Sequence, residues 1–78
     1  MNVRVHFHHD ADLTHSFNIL VFEVEGSSVS DLYDALGDMG YKYPHWKLYL
    51  HKTMLSPHYA RQLTDILELD DHLDVIQS

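Results

Sequence analysis

A chain of 78 residues with no cysteine excludes disulfide staples, thiolate metal sites and thiol catalysis. Its net charge of −7 comes from twelve Asp and Glu against five Lys and Arg. That leaves no basic patch to release counterions from a phosphate backbone, so direct nucleic-acid binding is not expected.

At this length a domain buries only about 60–65% of the surface its unfolded chain exposes, so the expected core is small. No charged-then-apolar leader and no run long enough to span a bilayer occurs, so membrane insertion is not expected and the cytoplasm is the expected compartment. The acids are uneven: residues 1–40 hold seven acids and one base, Arg4, and residues 41–78 hold five acids and four bases. Such acids ordinarily keep a small domain soluble; the sharper reading is an acidic surface that meets a basic partner. Eight histidines would carry the formal charge from −7 to +1 if all were protonated. Solubility or self-association is therefore expected to change steeply around pH ~6.5.

Asn2 to His8 alternates, with Val3, Val5 and Phe7 on one face and Arg4, His6 and His8 on the other, the pattern of a half-buried strand. His9 to His15 is polar and lacks the Asn-Gly or Asp-Gly of a two-residue hairpin turn, so a longer loop is expected. Ser16 to Glu25 reads as a long second strand. Glu23 and Glu25 set Leu20, Phe22 and Val24 inward and Phe17, Ile19 and Val21 outward, unless a bulge near Leu20 flips the register. An apolar outer face here points to a partner or to a homodimer through this strand.

Gly26 permits a turn, and Ser28 with Asp31 three residues later forms a capping-box pattern. Val29, Leu32, Leu36 and Met39 recur at helical spacing, so one apolar stripe is expected to cover a sheet, with Gly40 ending the helix. Tyr41 to His45 is a connector that Pro44 keeps from being helical. Trp46 to His51 alternates again, with Trp46, Leu48 and Leu50 inward and Lys47, Tyr49 and His51 outward. Thr53 to Leu55 reads as a very short strand, Ser56 to His58 as a turn, and Leu63, Ile66 and Leu67 as a short helical turn. The turn at Asp70-Asp71 feeds a last strand with Leu73 and Val75 inward and Asp74 and Ile76 outward.

The order strand, strand, helix, strand, short strand, helical turn, strand resembles the β-grasp fold of ubiquitin-like proteins. The stretches that carry it are Phe22 to Ser27 entering the helix, Lys47 to Leu55, Gln62 to Leu67, and Asp70 to Ile76. The expected fold class is thus α+β, a single ubiquitin-like domain over residues 1–78, with a mixed four- to five-stranded sheet, one packed helix and a short helical turn. Where conjugated relatives carry Gly-Gly, this chain reads Val75-Ile76-Gln77-Ser78, so conjugation and sulfur transfer are not expected. The pattern looks like two tail-less bacterial groups, the YukD-like accessory proteins of type VII secretion and the small ubiquitin-like subunits of diiron monooxygenases. Both work by protein contacts. In this fold the first and last strands lie parallel and adjacent, flanked by the second and third. The outer face would then carry Arg4, His6, His8, Asp74, Ile76, Lys47, Tyr49 and His51, with an Arg4–Asp74 pair in reach. Tyr49 and Ile76 would be the anchors of a protein-binding face, rimmed by Lys47, His51 and His6.

His6 and His8 share a strand face and suit imidazole ligation of Zn, Cu or Ni, but a structural site needs four ligands, so solvated histidines and no cofactor are the expectation. No nucleophile elbow, phosphate-cradling glycine loop or HExxH motif occurs, so no catalytic residue is assigned and a non-enzymatic role is expected. Asp65, Glu68, Asp70, Asp71 and Asp74 lack calcium-loop spacing and read as a solvated edge. The expected function is an adaptor or accessory subunit that binds a protein partner; the alternative is a small acidic inhibitor or nucleic-acid mimic that blocks a basic groove.

Overall fold

A computed structural model describes residues 1–78. The elements are β1 (Asn2–His8), β2 (Asn18–Glu23), α1 (Val29–Asp38), β3 (Trp46–Leu50), β4 (Thr53–Leu55), α2 (Leu63–Ile66) and β5 (Leu73–Gln77). The strands form one mixed sheet in the order β2-β1-β5-β3-β4, so the chain is α+β. β1 and β5 are parallel and every other neighbouring pair is antiparallel. The crossover through α1 carries the chain from β2, past β1 and β5, to β3.

The alternation in the strands decides which face is covered. Val3, Val5, Phe7, Leu48, Leu50, Leu55, Leu73 and Val75 point inward and are buried with Val29, Leu32, Tyr33 and Leu36 of α1. The Val3–Phe22 and Val5–Leu20 pairing sets β2 in the same register without a bulge. β2 is shorter than the alternation implied, and Phe17 falls outside it. Instead of joining the outer face, Phe17 stacks on His9 and lies 6.1 Å from the Phe7 and Trp46 rings, at one end of the core.

At the start of α1, the Ser28 hydroxyl accepts from Asp31 N–H (3.0 Å) and the Asp31 carboxylate accepts from Ser28 N–H (3.1 Å), a complete capping box. Hydrogen bonding holds the Asp31 carboxyl below its ordinary value, the Ser28 side-chain contact contributing most. Gly26 has φ +85°, and a Cβ there would overlap the Asp31 carboxylate, so the turn and the cap need glycine at the same place. The helix ends one residue before Met39, which is exposed rather than on the buried stripe. Met39 is the C-cap, so the helical spacing no longer applies to it, and Tyr33 fills the stripe beside Val29 and Leu36.

β3 and β4 are joined by a two-residue turn at His51 and Lys52, with φ of +50° and +68°. Both are left-handed positions that normally select Asn and Gly. His51 therefore leaves the strand and does not extend the outward row of β3.

Candidate functional site

α1 covers the inner face of the sheet; no helix covers the outer one. Across that face the strands bring together Ile19 and Val21 of β2, His6 and His8 of β1, Asp74 and Ile76 of β5, Lys47 and Tyr49 of β3, and Met54 of β4. Ile19 and Val21 are 52% and 63% exposed and Met54 38%, so apolar side chains stand in solvent at both edges.

The centre of the face is an imidazole–carboxylate cluster. Parallel pairing sets His6 opposite Asp74. His72 lies two residues before Asp74, and its ring stacks on His6 with centroids 4.0 Å apart and planes 14° from parallel. His72 Nε2 is 3.5 Å from Asp74 Oδ1, and His8 Nε2 is 2.8 Å from the same oxygen. Burial holds the His6 imidazole below its ordinary value; the His72 ring lowers it further and Asp74 works in the opposite direction.

Three expectations are corrected here. His8 is fully buried rather than solvated, because its other ring nitrogen, Nδ1, meets the carbonyl of His15 at 3.1 Å and the β1–β2 loop folds over it. Asp74 is 6% exposed and belongs to this cluster rather than to a solvated acidic edge. It pairs with His8, not with Arg4, since the parallel register places His6 opposite it and leaves Arg4 two residues away in solvent. His72 was missed from sequence; its spacing of two from Asp74 is a short-range signal that points both side chains the same way from an extended chain.

Ile76 is 8% exposed, so it is not the open anchor its outward position implied. With Tyr49 it floors a depression of about 440 Å³ walled by Ala11, Leu13, Thr14 and Lys52. The same loop that buries His8 forms this wall. Its shape is set by Asp10, which accepts from Asp12 N–H (2.9 Å), and Asp12, which accepts from Thr14 N–H (3.0 Å) and hydroxyl (2.6 Å). Tyr49 and Lys47 remain half-buried on the face, as placed from sequence.

His51 sits apart, its Nε2 2.9 Å from Asp71 Oδ1. That hydrogen bond is the main reason the His51 imidazole is raised above its ordinary value and the Asp71 carboxyl lowered below its own. A lowered carboxyl stabilises the fold above its unfolded value of 3.8 and a raised imidazole does so below 6.5, so the pair contributes fully between those pH values. Its contribution fades as pH falls through the folded Asp71 value and as pH rises through the folded His51 value. The melting-temperature difference between wild type and Asp71→Asn is expected to peak in that window; a difference flat from pH 3 to 9, on a scale set by reference values of about 4 and 6.5, would remove the pair as a contributor.

On the opposite side, Glu23, Glu25, Asp31, Asp34 and Asp38 line a groove of about 380 Å³ between the end of β2 and α1. No helix is long and apolar enough to cross a membrane. The chain matches no protein-family model, and no curated protein matches it significantly.

Proposed function

We propose that this chain is a β-grasp, ubiquitin-like interaction module, non-catalytic, that serves as an accessory or adaptor subunit by binding a protein partner through the outer face of its sheet. The strand order, with parallel β1 and β5 flanked by β2 and β3 and one helix across the inner face, supports the β-grasp reading. A role in type VII secretion is the specific form of this reading that the resemblance implies. The observation that carries the binding face is the exposure of Ile19, Val21 and Met54 on a sheet face that no helix covers. The working anchors are thus Ile19, Val21 and Tyr49 rather than Ile76. β2 is also an edge strand with a free row of backbone groups, which suits strand addition.

Capture from the native host with wild type, Ile19→Asp/Val21→Asp and Tyr49→Ala tests the reading. A specific partner is expected with wild type and at least ~10-fold less with each variant, as for loss of a hot-spot anchor. Equal capture by all three would remove the sheet face as the binding surface. The acidic groove favours a second reading, an inhibitor of a basic groove. Capture through it would survive both variants and weaken steeply with added salt.

A further inference from the structure

We propose that His6, His72 and Asp74 form a binding site for a divalent late-transition-metal ion of the zinc class on the outer face of the sheet. The proposal goes beyond the adaptor reading and stands whether or not this face meets a partner. One donor atom from each residue lies within 4.8 Å of the other two. A zinc ion with ligand distances of about 2.0–2.2 Å holds neighbouring donors roughly 3.4 Å apart. To ligate one ion the His6 and His72 rings, stacked at 4.0 Å and 14° from parallel, must turn out of the stack so that both in-plane lone pairs converge, and both rings are half-exposed.

The donor set selects the ion. Two imidazole nitrogens and one carboxylate oxygen suit Zn²⁺, Cu²⁺ or Ni²⁺, whereas Ca²⁺ and Mg²⁺ prefer an all-oxygen shell. The backbone supplies much of the preorganisation: His6 and Asp74 are register partners across the parallel β1–β5 pair, and His72 precedes Asp74 by two residues. His8 supplies more. Buried behind the cluster, it holds Asp74 Oδ1 at 2.8 Å, while Asp74 Oδ2 takes part in none of the imidazole contacts. An anchored carboxylate of this kind is how residues behind a metal site orient its ligands. Three protein ligands leave a fourth position open, and in the isolated chain water fills it.

The test uses the full chain without a histidine tag. Zn²⁺ is titrated calorimetrically, and Co²⁺ serves as a spectroscopic probe of coordination. A single site is expected, with the intense visible absorption of four-coordinate Co²⁺. His6→Ala and His72→Ala should each weaken Zn²⁺ binding by about 100-fold, at least what loss of a supporting residue costs. His45→Ala and His58→Ala, at exposed positions away from the cluster, should leave it unchanged. His72→Ala removes a half-exposed ring, so far-UV circular dichroism is expected to show an intact fold, and His72→Gln serves in its place if it does not. Wild-type affinity in the His6 and His72 variants, or Co²⁺ spectra of the six-coordinate aqua type, would overturn the site.

Discussion

Replacing His8 with alanine is expected to destabilise the fold by roughly 3–5 kcal/mol, the range for removing one partner of a buried pair that holds a carboxylate. His8 is fully buried and Asp74 nearly so, and their contact is 2.8 Å. The ring also faces the His15 carbonyl. The one ring thus ties the Asp74 carboxylate to the loop carbonyl. Loss of the ring would leave the loop without that anchor and the carboxylate with the His72 imidazole alone, 3.5 Å away. For a small domain with about 5–10 kcal/mol in total, that is a large fraction. Urea unfolding measures it, with hydrogen exchange at residues 10–15 reporting release of the loop. A change below ~1 kcal/mol would show that water replaces the ring at no cost. His8→Leu combined with Asp74→Leu should recover most of the loss, because the expense lies in the orphaned charge rather than in the missing attraction.

Tyr33→Phe is expected to cost on the order of 2–4 kcal/mol, though it removes one oxygen. The hydroxyl of Tyr33 donates to the Leu55 carbonyl (2.6 Å) and accepts from Leu48 N–H (2.8 Å). Leu48 and Leu55 are register partners of β3 and β4, both buried, so the side chain inserts into the edge pair and bridges it. Phenylalanine fills the same volume but leaves a buried donor and a buried acceptor unmatched, at about 1–3 kcal/mol each. Burial raises the Tyr33 phenol above its ordinary value, and the Leu48 bond offsets part of this, so the hydroxyl keeps its proton at neutral pH. Hydrogen exchange at the Leu48 amide is the sensitive readout. It should accelerate far more than the Val5 amide in β1; equal protection in the variant would mean that the strands pair without the bridge.

Both effects sit where periodic reading of the sequence stops. Alternation placed His8 on the outer face, and it is there. Alternation says nothing of what lies on top, and the β1–β2 loop covers it. The same loop turned Ile76 from an expected anchor into the floor of a depression. Tyr33 reads as an ordinary helical residue one step off the apolar stripe. Its importance depends on a β3–β4 gap whose sequence neighbours are more than ten residues away. The two-residue turn at His51-Lys52 escaped for another reason: neither residue is a turn former, and the pairing of β3 with β4 imposes the left-handed backbone on them.

What the sequence determined by itself is local. The strand faces, the Ser28–Asp31 cap, the glycine turns at Gly26 and Gly40 and the short helical segment at Leu63 all rest on residues within a few positions of one another, where backbone geometry leaves few choices. The cluster on the outer face was decided by tertiary structure alone. His6 and Asp74 lie 68 residues apart, and only the parallel pairing of the first strand with the last makes them neighbours. Burial is likewise a property of what packs against a residue, not of the residue: His8 is an exposed strand position until a loop closes over it, and from that contact its partner and its weight in the fold follow.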